Sequence, residues 1–453
     1  MSRPPVAVVG GGWAGLVAAC DFRRRGIPVV VLEASDQIGG LARTFRDGEG
    51  FSYDFGAHFI TNRLADAVGI ADQCLTVRHY GEAVVSGGRT YGYPFGLVRS
   101  PRFAGGAIRG RWRQAVSGDP AISIEELFVS QYGEPLARAI LIPLVEAWSG
   151  ARASELAASI ADKIPSSILE TMWLKGASRL TRRAVAIGYC REMPQSYRVW
   201  HVYPEGGLSV LFQKLAEALA GLVRLNSPVE AIHVSEDRVV GVRVGGKDEE
   251  VSAVFSTAPV HVLPGLIRGS SAFDGLSEFQ YRPMTLVNLK MQGRGLVPEV
   301  VTWTPAADLP FFRVTEAAMS MPWLAPPGKT LITADLGCEV GDEVWTMDDG
   351  EVAELTLEGL QSLIPDARRR HLGHAVLRTP LAYPKFLLRY EAQRSSWEQA
   401  SGVKGFVAIG RNGEFAHTLM EDVYWRTLRK VDRFARAHED SVPGAAMASG
   451  STA

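Results

Sequence analysis

The sequence predicts an α/β fold, in which a parallel sheet with a hairpin insertion is joined to a second, mixed α+β domain. The apolar run Val6–Val9 leads into a glycine-rich turn and then into a helical pattern that ends at Gly26. A second apolar run, residues 27–32, follows at once, and this strand–helix–strand order is typical of a parallel sheet. The 453 residues are too many for one ordinary core, which indicates two or three domains.

Composition excludes several classes of function. The formal net charge of −1 predicts no general attraction to nucleic acid. The sequence contains no run of about 18 apolar residues, so we expect no membrane-spanning helix. The first strand begins at Pro5, and we expect no secretory leader before it. The four cysteines are far apart and form no CxxC pair, so we expect no metal site and a reducing, cytoplasmic location.

The glycines after the first strand follow the pattern G-x-G-x-x-G at Gly10, Gly12 and Gly15. Gly10 permits a tight turn, Gly12 allows the backbone to approach a pyrophosphate, and Gly15 allows the helix to pack close to the strand. Trp13 and Ala14 lie at the helix N-terminus, where free N–H groups attract phosphate. This pattern predicts a Rossmann-like nucleotide-binding unit.

An acidic residue closes the second strand of this unit. Glu33, followed by Ala34, is about 20 residues beyond the glycines and can accept hydrogen bonds from ribose hydroxyls. A carboxylate at this point disfavours a 2′-phosphate, so NADP is not expected here. The unit alone does not distinguish FAD from NAD.

The residues that follow do distinguish them. Residues 33–44 read EASDQIGGLART and resemble the E-x5-G-G-x-x-R/S/T continuation of the FAD-dependent amine oxidase superfamily. The resemblance implies that Gly40, Leu41 and Arg43 lie along the FAD diphosphate and ribityl chain. A glycine allows close approach and a guanidinium group suits phosphate, so the chemistry agrees.

A second resemblance to this superfamily lies at residues 54–59, DFGAHF, which match its D-x-G-A/P-H segment. It implies that Gly56, Ala57 and His58 pass the flavin ring. His58 is either a catalytic acid or base, since the usual pKa of histidine is near neutrality, or a residue that packs against the flavin and positions it.

Two later segments also resemble the superfamily. Residues 201–208, HVYPEGGL, re-enter the FAD domain, and the resemblance implies that the Val229 backbone binds the adenine. Residues 405–422 match the last FAD segment, with Gly410 and Arg411 at the diphosphate and with Leu419 and Met420 beside the ring. The alternative for Met420 is a core methionine.

The Gly410–Arg411 pair separates the chain from monoamine oxidases, which carry Gly-Glu and a glycine-rich stretch. The chain is more similar to the protoporphyrinogen-oxidase-like and UDP-galactopyranose-mutase-like branches. The resemblance therefore implies an FAD-dependent oxidoreductase that removes a hydride from a small or lipophilic substrate, with O2, a quinone or another carrier as acceptor. A mutase-type flavoenzyme acting on a nucleotide sugar and a non-catalytic flavin protein are the alternatives.

Several residues are candidates for chemistry outside the cofactor segments. Lys290 is near the position where amine oxidases place a lysine beside the flavin, although a solvated strand end is the alternative. Four residues of the second insertion could line a substrate pocket, because tyrosine and arginine suit an aromatic or anionic substrate. They are Arg313, Tyr383, Arg389 and Tyr390.

Two basic stretches with interleaved apolar residues, 95–113 and 172–183, predict either peripheral contact with an anionic membrane or a solvated face. For the whole chain we expect a discontinuous FAD-binding domain over 1–75, 200–280 and 395–437. The insertions 76–199 and 281–394 would form the substrate domain, with a helical part and a sheet part. Residues 438–453 are expected to form a disordered tail.

Overall fold

The computed structural model describes residues 3–56, 58–117, 120–163 and 168–439, and it confirms the predicted α/β fold. Within these residues five parallel strands form one sheet, whose strands come from three separate stretches of the chain. In spatial order they are Val223–Arg224, Val29–Leu32, Val6–Val9, Ala253–Ser256 and Phe406–Ala408.

The central strand Val6–Val9 is buried on both faces of the sheet. Val6 and Val8 belong to one hydrophobic core, together with the helix Trp13–Arg24, while Ala7 and Val9 belong to a second core on the other face. Because successive strand residues point to opposite faces, a strand between two cores must be apolar throughout. This explains the continuous apolar run that predicted it.

The hairpin insertion differs from the prediction in its strands. The sequence indicated a hairpin of residues 239–244 and 250–255, but Arg238–Val244 pairs with Val229–Ser235 and Lys247–Glu250 in a separate antiparallel meander. Ala253–Ser256 instead joins the parallel sheet. All four of its residues are buried, as a strand covered on both faces requires, whereas an exposed hairpin strand alternates.

A seven-stranded sheet combines both insertions. The first insertion was predicted to be mostly helical, yet it contributes two strands to this sheet. Glu82–Ser86 pairs with Val301–Trp303 of the second insertion, and Arg89–Gly92 pairs with Glu82–Ser86 at the edge. In spatial order the strands are His371–Pro384, Tyr281–Gln292, Lys329–Gly337, Arg313–Thr315, Val301–Trp303, Glu82–Ser86 and Arg89–Gly92. Two small sheets consist of Thr44–Arg46 with Ser52–Asp54, and of Ile60–Thr61, His201–Pro204 and Cys74–Thr76.

The longer helices cover these sheets and frame the site. Ser123 and Glu126 form a reciprocal cap at the start of the helix Ile124–Tyr132. In the part of the chain that the structure describes, every helix is too short or too polar to span a bilayer. The longer helices are Trp13–Arg24, Asn62–Val68, Pro101–Ser117, Ile124–Tyr132, Ile142–Ser149, Ile168–Thr181, Ser209–Ala218, Asp349–Leu360, Glu391–Gln399 and Met420–Glu439.

Candidate active site

The first glycine turn lies at the carboxyl end of Val6–Val9 and requires glycine at two positions. Gly10 has a φ of +98°, and a Cβ added there would lie 2.0 Å from Oγ1 of Thr257. A Cβ at Gly15 would lie 1.9 Å from the carbonyl oxygen of Gly10. The helix Trp13–Arg24 can therefore approach the strand closely only because both residues lack a side chain.

Gly12 differs from its neighbours, because a Cβ added there would meet no atom within 4 Å. Its backbone is extended, with a φ of −75°, and any residue can adopt this conformation. Gly12 is also the N-cap of the helix Trp13–Arg24, and it offers no side chain to the free N–H groups of the first turn. Open space is therefore present beside Gly12, at the helix N-terminus that attracts an anion.

The second glycine pair packs on the first turn. The Gly39 N–H donates to the carbonyl oxygen of Gly11 at 2.9 Å, and a Cβ at Gly40 would lie 3.6 Å from the Cα of Gly12. Arg43 lies beside this pair, where its Nε donates to the Gly40 carbonyl at 3.2 Å. The partly exposed Leu41 lies in the same turn.

Glu33 connects the second strand to this turn. One carboxylate oxygen accepts a hydrogen bond from the Gly11 N–H at 2.6 Å, and the other accepts from the N–H and hydroxyl of Ser35. The exposed Ala34 lies between them. The Asn226 N–H donates to the Ser35 carbonyl, so the segment that leads to Val229 passes the same corner of the sheet. Val229 itself begins the strand Val229–Ser235.

The last predicted segment packs against the first helix. A Cβ at Gly410 would lie 2.8 Å from the Cβ of Ala14. The indole N–H of Trp13 donates to the carbonyl oxygen of Met420 at 2.8 Å, and both side chains are buried in the same core. The contacts of Met420 correspond to the alternative of a core methionine, whereas its neighbour Leu419 lines the cavity described below.

A cluster of polar side chains lies between the glycine turns and the seven-stranded sheet. Arg313 forms a buried ion pair with Asp335, and its Nη2 would lie 3.5 Å from a Cβ added at Gly56. The guanidinium group of Arg411 lies over the ring of Tyr383 at 4.8 Å. Its Nε and Nη2 are buried without a hydrogen-bond partner among the described residues.

His58 belongs to this cluster, and its Nδ1 lies 3.7 Å from a carboxylate oxygen of Asp54. Burial, together with the positive charges of Arg411 and Arg313, lowers the pKa of His58 to about 4. The imidazole is therefore neutral at pH 7, which corrects the expectation of a pKa near neutrality and favours the positioning role. Ala57 lies outside the described residues.

Asp54 is a buried carboxyl that accepts hydrogen bonds from the Thr44 hydroxyl at 2.6 Å and the Tyr203 hydroxyl at 2.7 Å. Burial disfavours the charged form and raises its pKa to about 7, and the two hydrogen bonds offset only part of this effect. Between pH 4 and 7 the folded protein thus keeps a proton that the unfolded chain has lost.

This difference predicts a pH-dependent stability. Because the folded state binds more protons, the Asp54 contribution to the free energy of unfolding falls as the pH rises from about 4 to about 7, by up to about 1.4 kcal/mol per pH unit. We expect Asp54→Asn to remove this fall, as measured by urea unfolding of the apoprotein at several pH values. If the free energy of unfolding depended on pH in the same way for the wild type and the variant, a raised pKa of Asp54 would be contradicted.

A cavity of about 440 Å3 opens beside this cluster. Its wall is mainly apolar and aromatic, and Arg313, Tyr383 and Leu419 form its inner end. The Trp303 indole N–H and the Tyr80 hydroxyl both donate to Glu82, at 3.1 Å and 3.0 Å, which satisfies the one carboxylate in the wall. Other lining residues include Leu97, Phe128, Leu144, Trp148, Ile187 and Phe312.

Three of the residues proposed for chemistry have other contacts. The Lys290 ammonium forms ion pairs with Asp47 at 2.6 Å and Glu49 at 2.7 Å, so its side chain serves an ion-pair cluster and does not line the cavity. Tyr390 is buried in a core and donates to the Lys385 carbonyl, and Arg389 is exposed above the Tyr390 ring. Of the four substrate candidates, Arg313 and Tyr383 line the cavity.

Glu82, Tyr80 and Trp148 line the cavity without having been predicted as site residues. Glu82 begins a strand of the insertion that was predicted to be mostly helical, and a single glutamate before a short strand forms no motif. Its place beside Trp303 depends on the parallel pairing of two strands more than 200 residues apart in the sequence. Local sequence carries no signal for such a pairing.

Comparison with known proteins identifies the family. The family model for flavin containing amine oxidoreductases matches residues 13–425. The chain belongs to this family. FAD is therefore the cofactor, as the cofactor segments predicted. Among curated proteins, the lycopene-forming phytoene desaturase of Pseudescherichia vulneris is 25% identical over 56% of the chain and 55% of its own length. Human lysine-specific histone demethylase 2 is 24% identical over 97% of the chain and 52% of its own length.

The chain spans about half the length of the curated relatives that it matches. Solved structures share the fold over nearly the whole chain. A reduced UDP-galactopyranose mutase superposes with a TM-score of 0.78 at 17% identity, covering 96% of both chains. Putrescine oxidase bound to putrescine superposes with a TM-score of 0.68 at 17% identity, covering 96% of this chain and 99% of that one.

The described residues fit FAD. The open space at Gly12 and the adjoining helix N-terminus suit a pyrophosphate, and Glu33 has lone pairs left for ribose hydroxyls. The unpartnered donors of Arg411 need an acceptor that the described residues do not supply, since a buried guanidinium without partners is costly. A cofactor or substrate oxygen at this point would satisfy them.

Proposed function

We propose that the protein is an FAD-dependent oxidoreductase that oxidises an apolar or aromatic organic molecule bound in the 440 Å3 cavity. The observation that carries this proposal is the wall of the cavity, which is lined by aromatic and aliphatic side chains and ends at the cluster of Arg313, Tyr383 and Leu419. When bound, FAD supplies the hydride acceptor. The chain contributes binding, orientation and exclusion of water.

Each part of the cluster supports one of these tasks. Trp148 and Tyr383 pack edge to face at 5.2 Å and form a rigid aromatic wall against which a flat or apolar substrate can rest. The neutral His58 and the Arg313–Asp335 pair hold this end of the site, and with a pKa of about 4 His58 is a weak general base at pH 7. Removal of a hydride from a substrate held in position does not require a general base.

Anaerobic titration of the purified yellow protein tests the proposal. Apolar amines and unsaturated hydrocarbons are the first candidates, and a substrate should bleach the visible absorbance of the oxidised flavin. Reoxidation by O2 or by a soluble quinone then identifies the acceptor. A flavin that stayed oxidised with every apolar candidate would refute the proposal.

Filling the cavity should block the reaction without removing the cofactor. Leu144 lies in the cavity wall, and we expect Leu144→Trp to lower kcat/KM at least about tenfold, because the larger ring occupies the substrate space. The FAD content should stay unchanged. Leu372→Trp, at a half-exposed position on the edge of the seven-stranded sheet, is the matched control and should retain full activity.

A mutase-type reaction on a nucleotide sugar is the second candidate, and one observation favours it. Burial lowers the pKa of Arg411, and the nearby charge of Arg313 also lowers it. Two guanidinium groups this close together suit a diphosphate. No such pair could be located in the sequence. The ion pair of Arg313 with Asp335 argues against a mutase-type reaction, because this guanidinium group already has a partner. Turnover that requires prior reduction of the flavin, with no net change in its oxidation state, would favour this candidate.

A further inference from the structure

A second cavity, of about 460 Å3, adjoins the apolar one on its outer side. The two share four lining residues, Tyr80, Glu82, Tyr93 and Lys175, so they lie directly against each other at these residues. The inner part is apolar and the outer part is polar. A molecule that occupied both would need a different chemistry at each end.

The outer cavity carries an excess of positive charge. Five cationic side chains line it, against the two carboxylates of Glu82 and Glu299. Glu299 is hydrogen-bonded to His79 at 2.8 Å, and Glu82 accepts from Tyr80 and Trp303, so both acids are already engaged. The cations are Arg78, Arg99, Lys175, Arg179 and Arg182.

These cations are available to a ligand. The guanidinium groups of Arg78, Arg99 and Arg182 are exposed and form no ion pair with any residue that the structure describes. Arg179 lies over the ring of Phe95 at 5.1 Å, which leaves the edge of its guanidinium group free to bind an anion. Lys175 lies over the Tyr80 ring at 5.4 Å, at the boundary between the two cavities.

We infer that the substrate is an amphipathic anion, whose carboxylate or phosphate binds in the outer cavity while its apolar body extends inward to the flavin site. This inference rests on the proposed function. Arginine forms paired hydrogen bonds with carboxylate and phosphate, and a cleft lined by charges of one sign concentrates the opposite ion. The substrate class is thereby narrowed from any apolar molecule to one with an anionic end.

Ligand binding to the oxidised holoprotein tests the inference without any need for turnover. Decanoate, decyl phosphate and decanol share an apolar chain and differ in the head group, and binding is followed by the flavin absorbance spectrum. We expect at least one of the two anions to bind at least tenfold more tightly than decanol. The comparison of decanoate with decyl phosphate identifies which anion the cavity prefers.

The variant Arg99→Gln with Arg179→Gln should weaken anion binding about tenfold and leave decanol binding unchanged. Arg89→Gln with Arg389→Gln removes the same charge at exposed positions outside both cavities, and it should bind like the wild type. Equal affinities for all three ligands, or equal losses in both double variants, would overturn the inference. Selective anion binding without flavin reduction by any substrate would instead refute only the proposed oxidation.

A different observation, the exposure of apolar side chains, points to a partner surface. Ile108, Trp112 and Val116 follow one another at four-residue spacing on the helix Pro101–Ser117 and are 72%, 67% and 70% exposed. The opposite face of this helix is fixed, because a Cβ at Gly106 would lie 2.8 Å from Pro135. The helix therefore presents a rigid apolar stripe to the outside.

The helix that carries the stripe is basic, although three glutamates of neighbouring helices line a groove beside it, Glu125, Glu126 and Glu134. Residues 95–116 contain five arginines and no acidic residue. Residues 171–191 also lack acidic residues, and in this stretch Trp173 and Leu180 are 60% and 87% exposed. The contact of Arg179 with Phe95 joins the two stretches beside the outer cavity.

We also propose that this face, defined by Ile108, Trp112 and Val116, docks on an anionic lipid surface. Arginines beside an exposed apolar stripe are complementary to anionic head groups over an apolar interior. The outer cavity would then open toward the membrane.

Sedimentation with lipid vesicles tests this docking. The holoprotein should sediment with phosphatidylglycerol-containing vesicles, less so at high salt, and remain in solution with pure phosphatidylcholine. Ile108→Ser with Trp112→Ser and Val116→Ser should reduce binding at least tenfold, whereas Val240→Ser, Val340→Ser and Leu372→Ser should not. Equal losses in both triple variants, no sedimentation of the wild type, or a dimer that only the first variant abolishes would overturn the proposal.

Discussion

Gly12→Val yields a folded protein that has lost its FAD. A Cβ added at this position meets no protein atom within 4 Å, and the extended backbone accepts valine, so we expect the apoprotein to lose little stability. The same side chain fills the space in front of the helix N-terminus, where we place the pyrophosphate. We expect FAD affinity to fall at least about 100-fold, or roughly 3 kcal/mol. Flavin content after purification and calorimetric titration of the apoprotein measure the change.

The matched control is Gly265→Val. An added Cβ at Gly265 also meets no atom within 4 Å, but this residue lies in the short helix Leu263–Leu266 and not at the glycine turn. It should keep full flavin content. A yellow Gly12→Val protein with the affinity of the wild type would show that the pyrophosphate binds elsewhere.

We expect Arg313→Met to destabilise the protein far more than the loss of a surface ion pair would. Asp335 is 1% exposed, and its partner Arg313 is largely buried, so the substitution leaves a carboxylate without a counterion in the core. We expect the free energy of unfolding of the apoprotein to fall by about 3–5 kcal/mol. Urea unfolding followed by circular dichroism gives the value.

Two further variants test whether the unpaired buried carboxylate of Asp335 causes this loss of stability. Arg313→Met with Asp335→Asn removes both charges and should recover most of the lost stability, which permits a test of substrate binding in a folded protein. Arg243→Met breaks an exposed pair with Asp248 and should cost no more than about 1 kcal/mol. If Arg313→Met and Arg243→Met were equally stable, the buried pair would not have the importance that we assign to it.

Flavin chemistry was predictable because the residues that hold a dinucleotide act through the backbone and lie close together in the sequence. Gly10 is needed for its φ of +98° and Gly15 for its closeness to the Gly10 carbonyl oxygen, which are both local reasons. Glu33 follows after one helix and one strand, so a short stretch of sequence specifies the turn. Family resemblance then extended the prediction to Gly40 and Gly410, which pack on the same turn and on the first helix.

Predictions that depended on a side chain at a single strand position were less successful. Lys290 occupies the predicted strand, but its ammonium group pairs with Asp47 and Glu49, residues that are about 240 positions away in the sequence. His58 lies in the polar cluster, and its pKa depends on burial and on the charges of Arg411 and Arg313, which two other parts of the chain supply. Electrostatics at a buried site sums over every neighbour, and most of these neighbours are distant in sequence.

The sequence by itself determined the α/β class, the FAD family and the glycines of the cofactor turn, because these follow from local periodicity, backbone sterics and contiguous motifs. Only the tertiary structure decided the cavity that we propose as the substrate site. Pairing of Val301–Trp303 with Glu82–Ser86 joins the two insertions and brings Trp303 against Glu82, with Tyr80 beside them. The apolar cavity and the outer cavity exist because segments far apart in the chain meet there, and no local sequence pattern predicts such contacts.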